Sequence, residues 1–266
     1  MREILLSESG IAVPLIRSDA IPAGFRHGFT TRRGGVSAAP FDSLNLGGKW
    51  GDAPAAVLEN QRRLTIAAGG RPIFFATQVH GAASVRADRG QTVQTVAATH
   101  ADAVLTAIRD QAVGVYVADC VPVLIADAQS GACAAVHAGW RGTVAGVLSA
   151  ALRCIGPEFG ARMDDVRVAI GPSIGPCCFE VGPEVVSAVE AAFPGARAAG
   201  AIDDRRARPH VDLWILNRLA AESMGVAPDA IDVAEMCTSC DSTRFFSYRR
   251  DRGRTGQLAA FIVRGA

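Results

Sequence analysis

The chain has 266 residues, enough for one large domain or two small ones with a substantial buried core. Hydrophobic residues make up 49%, charged residues 20%, and the formal net charge is +1, a globular balance that excludes an overall basic field for nucleic acid. Seven cysteines, mostly inside apolar segments, argue against a disulfide framework, and the absence of a signal pattern or a membrane-length apolar run leads us to expect a cytoplasmic protein.

Residues 3–16 read as a strand pair turning at Ser9-Gly10, with a break near Pro14. In GFTTRRGGVS, from Gly28 to Ser37, adjacent glycines follow Arg32 and Arg33. Such a turn can offer N–H and guanidinium donors to an anion, or simply be solvated. FDSLNLG follows, with Asn45 between two leucines. Residues 52–68 have helical spacing: Pro54 suits the first turn, Val57, Leu58, Leu64 and Ile66 are apolar, and Asn60, Gln61 and Arg62 are polar. Residues 73–79 form a predicted strand ending at His80-Gly81, where a histidine can point into a site. A further strand starts within 100–105.

Residues 112–142 organise the rest. Two apolar strands, 121–126 and 132–138, flank the polar turn Asp127-Ala128-Gln129-Ser130-Gly131. A loop at 127–130 would set Cys120 directly opposite His137, with Cβ atoms roughly 4.5–5.5 Å apart. The two could then share a metal ion or a proton, whereas a one-residue slip would send them to opposite faces. Asp119 precedes the cysteine and Gly139-Trp140-Arg141-Gly142 follows the histidine.

After Gly142 the spacing of Val144, Val147, Leu148, Ala151, Leu152 and Ile155 predicts a helix capped by Thr143. Its positive end and Arg141 would lie near His137, where an anion could bind. A strand at 166–170 leads into GPSIGPCCFEVG, a rigid loop whose adjacent cysteines cannot both face one way if extended. Amphipathic helices are expected at 183–193 and 213–224. Cys237-Thr238-Ser239-Cys240 is a lone CxxC, a weak zinc signal without a second pair. An Arg-rich turn, FFSYRRD, precedes a last strand at 259–263. No linker or repeat divides residues 1–266, so a single domain is expected.

The pieces GFTTRRGGVS, FDSLNLG, TQVHG, ADCVPVL, AAVHAGWRG, IGPSIGPCCFEVG, VDLWILNRL, CTSC and FFSYRRD occur in an order that closely resembles the YfiH-like family, also called laccase-domain or polyphenol oxidase proteins. That family is now regarded as purine nucleoside phosphorylases with adenosine deaminase side activity. The resemblance implies an α/β fold of mixed β-sheets sandwiched by helices. It also implies a zinc held by His80, Cys120 and His137, and substrates that are purine nucleosides and phosphate. Three departures stand out: Asn60-Gln61 where the family usually has Asn-Arg, Phe179 where Tyr is common, and Thr255-Gly256-Gln257 where Thr-Gly-Arg is usual.

A multicopper oxidase needs many histidine ligands, commonly in His-x-His pairs, and five histidines without such a pair exclude it. Three nitrogen and sulfur ligands with an open position fit a catalytic zinc. The usual zinc nucleobase deaminase signature is absent, so Asp119 becomes the candidate general acid/base. Arg32, Asn45, Arg62 and Arg141 are the candidate substrate and phosphate contacts. Two other readings stay open: a metal-free cysteine hydrolase using Cys120 and His137, and a zinc-stabilised binding module. No nucleic-acid or membrane partner is expected, and the chain is read as a monomer or homodimer.

Overall fold

The computed structural model describes residues 1–8, 10–205 and 207–265; the turn expected at Ser9 lies partly outside them. β1 (Arg2–Glu8) and β2 (Ile11–Arg17) form the expected antiparallel pair. Pro14 lies within β2 opposite Leu5 instead of marking a break. The next strand, β3 (Phe25–Thr30), engages only Leu15 and Ile16, so that side asks no ladder hydrogen bond of the proline. There follow α1 (Pro54–Ala67), β4 (Ile73–Phe74), β5 (Ser84–Arg86), α2 (Val93–Ala97), β6 (Ala103–Thr106) and β7 (Ala112–Val117). The central hairpin is β8 (Val121–Asp127) and β9 (Cys133–Ala138), followed by α3 (Trp140–Val144) and α4 (Val147–Phe159). The chain continues through β10 (Val166–Ile170), α5 (Pro183–Ala192), β11 (Ile202–Asp203) and β12 (His210–Val211). It ends with α6 (Leu213–Ser223), β13 (Ile231–Val233) and β14 (Leu258–Arg264).

Two six-stranded mixed sheets carry the architecture, in the orders β1-β2-β3-β14-β7-β4 and β13-β10-β8-β9-β6-β5. They face each other across a core that includes Phe29, Val113, Val115, Leu124, Ala135, Ala169, Ala260 and Ile262. The other face of the second sheet is covered by α4, α5 and α6 through Leu148, Leu152, Val186, Val189, Leu213 and Leu216. Leu64 and Ala67 of α1 cover the outer face of the first sheet against Leu15, Phe261 and Val263. The expected sandwich of mixed sheets between helices is therefore what the chain builds. Along β8, Val121, Val123 and Ile125 face the helices while Leu124 and Ala126 face the other sheet. A strand covered on both sides reads as an unbroken apolar run, and β8 does. Among the described residues no helix is long and apolar enough to cross a membrane.

Three local expectations change. The helix after Gly142 is two helices, because Gly146 takes φ 81° between α3 and α4 and interrupts the run. The strand at 73–79 shrinks to β4, and residues beyond it leave the sheet to form the site. On α1 the inward face is Val57, Asn60, Leu64 and Ala67, whereas Leu58 is exposed. Asn60 is fully buried: its Oδ1 accepts from Val36 N at 2.9 Å, and its Nδ2 lies 2.8–3.0 Å from Asn45 O, Ser37 Oγ and Ser43 O. It fastens the loop carrying FDSLNLG to the helix.

Asn60→Asp keeps the shape but turns an oxygen toward two carbonyls and buries a charge. We expect it to lower unfolding stability by at least about 3 kcal/mol, as measured by urea denaturation, and to cost more than Asn60→Ala.

Candidate active site

The β8–β9 register sets Val121 opposite Ala138 and Pro122 opposite His137. The turn is residues 128–131, closed by Asp127 N donating to Ala132 O and Gly131 N to Asp127 O, both at 2.9 Å. Asp127 also accepts from Gln129 N and Ser130 N, and Gly131 supplies the left-handed φ of 76°. The four-residue turn thus sits one residue later than expected, which shifts the pairing by two, and Cys120 is not directly opposite His137. The correction moves the pairing by an even step, so the two side chains keep a common face and meet diagonally. Gly139 comes next to the thiol instead. A Cβ there would lie 2.9 Å from Cys120 Sγ and 3.2 Å from His80 Cδ2, so glycine makes the room that both ligands use.

His80 arrives from the segment after β4. Gln78 copies a strand there, its Nε2 donating to Tyr116 O at 2.8 Å and its Oε1 accepting from Tyr116 N at 2.7 Å. Phe75 stacks on the Tyr116 ring at 4.1 Å. His80 itself sits at φ 61°, a region that costs a non-glycine residue about 1–2 kcal/mol. Asp102 holds it there. This fully buried carboxylate accepts from the backbone N–H groups of Val79 (3.2 Å), His80 (2.9 Å) and Gly81 (2.7 Å). Its Oδ1 also lies 2.8 Å from His137 Nδ1. Burial works against ionisation of Asp102, but His137 and the N–H groups of Gly81 and Val79 outweigh it, and its pKa falls.

The Asp102 contact takes His137 Nδ1 and leaves Nε2 for the site. The His80 and His137 rings stand 4.9 Å apart at 77°. One ligand atom each from His80, Cys120 and His137 lie within 4.8 Å of one another. Burial opposes charge on Cys120 and on His137, yet each stabilises the ionised form of the other. The thiol is driven down and the imidazole up, with His80 and Asp102 assisting. Two imidazoles and a thiolate, one imidazole oriented by a carboxylate, fit a borderline-soft divalent metal.

Asp119, adjacent to Cys120, has φ 84° and is 8% exposed. Its carboxylate accepts from Thr238 Oγ1 (2.6 Å), Ser247 Oγ (3.0 Å) and Arg249 N (2.7 Å), and its carbonyl accepts from Ile174 N at 2.9 Å. These partners make the candidate acid/base residue a tie between loops.

A cleft of 510 Å³ opens over the three ligands, lined also by Lys49, Trp50, Gln78, Tyr116, Arg141, Tyr248 and Gln257. That volume suits a small organic ligand. Burial pushes the Tyr116 phenol up to about 12, so it remains a neutral donor. Of the four expected phosphate contacts, only Arg141 lines the cleft, its guanidinium 4.3 Å from the Trp140 ring centroid. Arg32 is a strut, donating to Asp42 O at 2.7 Å and Ser242 O at 3.0 Å and lying over Phe246. Arg62 pairs with Glu59 on the exposed side of α1. Asn45 is buried, bonded to Gly47 N, Gln257 N and Asp52. The sequence reading missed Asp102, Lys49, Trp50, Tyr116 and Tyr248. Lys49 carried a signal of its own, as the only lysine in the sequence.

Asp102→Asn must aim an NH₂ group at N–H donors on one side or the other. We expect its affinity for added zinc to drop about 10–100-fold, measured by competition with a chromophoric chelator.

The family model described as multi-copper polyphenol oxidoreductase laccase matches residues 26–265. A Pseudomonas aeruginosa protein named purine nucleoside phosphorylase is 42% identical over 241 residues, covering 91% of this chain and 94% of the relative. The Geobacillus stearothermophilus purine nucleoside phosphorylase YlmD is 37% identical over 257 residues, covering 94% of each. The crystal structure of YlmD from that organism superposes with a TM-score of 0.88 at 34% identity, covering 100% of both chains. That of Bacillus licheniformis YfiH does so at 0.87 with 29% identity, covering 94% of this chain and 96% of the other. The "multi-copper" of the family's description finds no matching histidine set: among the described residues, one metal-capable cluster contains histidine, and it contains two. The chain belongs to the YfiH-type family, the one described as multi-copper polyphenol oxidoreductase laccase.

Proposed function

We propose that the chain is a zinc-dependent purine nucleoside phosphorylase, cleaving adenosine or inosine with phosphate to the free base and ribose 1-phosphate, with slower hydrolytic deamination of adenosine. The observation that carries this reading is the cleft itself, where aromatic rings and two cationic side chains surround His80, Cys120 and His137. The relatives named purine nucleoside phosphorylase support it.

In phosphorolysis a phosphate oxygen bonds to the anomeric carbon while the glycosidic C–N bond breaks, its electron pair leaving with the purine, which takes up a proton. Trp50 and Tyr248, with ring centroids 6.0 Å apart, offer aromatic faces to the base. Arg141 and Lys49 supply the positive charge that draws phosphate and steadies the charge developing on it. The neutral Tyr116 phenol can donate a hydrogen bond to the substrate. Asp102 and Asp119 hold His80, His137 and Cys120 in place through the hydrogen bonds they accept. His80, Cys120 and His137 would hold the zinc, which when bound supplies a Lewis acid to polarise a substrate oxygen or nitrogen. Gln257, where the resembling family usually has arginine, leaves the phosphate side one charge poorer and favours weak phosphate affinity.

Arg141→Met should raise the KM for phosphate about 10–100-fold while changing adenosine deamination little, since that reaction has no anionic co-substrate. His80→Ala should abolish both. Base release at an equal rate with and without phosphate would make the enzyme a hydrolase, and no turnover of any purine nucleoside would remove the assignment. The thiolate–imidazolium character of Cys120 and His137 keeps the cysteine hydrolase as the second reading. Full activity in a chelated, metal-free preparation would favour it.

The lone lysine gives an independent check. Phosphate well above millimolar concentration should protect Lys49 from an amine-selective acylating reagent, followed by peptide mass spectrometry; labelling unchanged at a phosphate concentration that saturates turnover would take Lys49 out of the phosphate site.

A further inference from the structure

The second cluster of metal-capable side chains contains no histidine. Cys177, Cys178, Cys237 and Cys240 bring their Sγ atoms within 4.8 Å of one another, with Cys240 Sγ 3.4 Å from both Cys177 Sγ and Cys178 Sγ. A tetrahedral tetrathiolate with metal–sulfur bonds near 2.3 Å has sulfur–sulfur edges of about 3.8 Å, which the observed spread brackets.

Two turns produce this convergence. Cys178 N and Phe179 N both donate to Gly175 O at 3.0 Å, curling residues 175–179 so that the adjacent cysteines are not extended and both thiols reach one point. The Gly175 position has no room for a side chain, since a Cβ there would meet Trp214 Cη2 at 2.7 Å. In the other segment Asp241 N donates to Cys237 O at 3.1 Å, bringing Cys240 back over Cys237. The segments are joined by Ser173 N to Met236 O (3.2 Å) and Thr238 N to Ser173 O (2.9 Å). The CxxC therefore does have a second pair, about sixty residues earlier in sequence and beside it in space.

The surroundings suit metal-bound thiolates. Gly175 N points at Cys237 Sγ at 3.3 Å, an N–H···S hydrogen bond that stabilises a ligating sulfur. Two guanidinium groups lie on the carbonyls next to the thiols: Arg249 donates to Cys178 O at 3.0 Å and Arg250 to Thr238 O at 2.8 Å. Their positive charges offset the net negative charge of a divalent ion bound by four thiolates.

We propose that these four cysteines form a second, structural zinc site, with a closed ligand set distinct from the open site of His80, Cys120 and His137. It staples the loop of residues 171–182 to that of 234–256. Both loops also hold Asp119, through Ile174 N, Thr238 Oγ1, Ser247 Oγ and Arg249 N, so the staple braces the residue preceding Cys120. The claim does not depend on the reaction proposed above.

The test is metal content and ligand-field spectroscopy on the full chain, purified with reductant and without chelator. Elemental analysis should find two zinc equivalents per chain in the wild type, one in Cys240→Ser and one in His80→Ala. Cobalt(II) loaded into His80→Ala should give intense tetrahedral visible bands and a thiolate charge-transfer band, both lost in His80→Ala/Cys240→Ser. A wild type holding a single metal, with a stoichiometry unchanged by Cys240→Ser, would overturn the proposal. So would cobalt spectra without thiolate bands, or a disulfide among the four cysteines in mass spectra of unalkylated protein. Should Cys240→Ser fail to fold, the wild-type stoichiometry and the His80→Ala cobalt spectrum still decide.

Discussion

The site depends on one buried carboxylate. Asp102 collects three consecutive backbone N–H groups from residues 79–81 and the Nδ1 of His137. Two ligands that arrive on unrelated segments are thereby referred to the same pair of oxygen atoms. A carboxylate with no solvent exposure is tolerable only when its desolvation is met by such donors. The N–H groups at 79–81, which no strand pairs, need an acceptor just as much. Each side answers the other's need, and the left-handed His80 backbone is carried within the bargain.

Cys120 is placed by a parallel device. Its neighbour Asp119 has a positive φ, and its carboxylate is met by Thr238, Ser247 and Arg249. Of the five non-glycine residues with positive φ among the described residues, His80 and Asp119 sit at or beside a metal-capable ligand, each stabilised by a carboxylate that the solvent scarcely reaches. Such strain persists only where the surroundings over-determine it. Here the surroundings are hydrogen bonds from distant loops, so the ligands have fixed positions before any substrate arrives, as a polarising centre requires.

This arrangement explains what could be read in advance. The shared face of Cys120 and His137 was legible because side chains alternate along strands: a turn set one residue too early shifts the register by two and preserves the face. The layers were legible through the family resemblance, and the apolar run of β8 with the one-sided apolar faces of α4 and α6 agrees with them. Asp102 was not, because a lone aspartate between alanines reads the same whether it lies in solvent or holds a loop. That Arg32, Arg62 and Asn45 lie outside the cleft was hidden for a related reason. A polar residue near a glycine turn looks like a ligand donor, and only tertiary geometry shows that Arg32 is spent on carbonyls and Asn45 on the backbone of residues 47 and 257. The four-cysteine cluster was hidden by separation along the chain and by the assumption that Cys177-Cys178 is extended.

The walls of the cleft differ from its floor in how they are built. His80, Cys120 and His137 belong to the sheet or are tied to it by Asp102 and Asp119, whereas Lys49, Trp50 and Tyr248 stand on loops outside the sheets. Trp50 and Tyr248 meet through tilted rings, and Lys49 lies over Trp50 with no carboxylate paired to it among the described residues. Loop side chains of this kind can be exchanged at small cost in stability, because little of the core rests on them. The triad cannot, since moving any member breaks a hydrogen bond to a buried carboxylate or crowds Gly139. A fold divided in this way can vary what the cleft accepts while holding His80, Cys120 and His137 constant. Substrate preference should therefore be sought in the loops at 47–50 and 245–257.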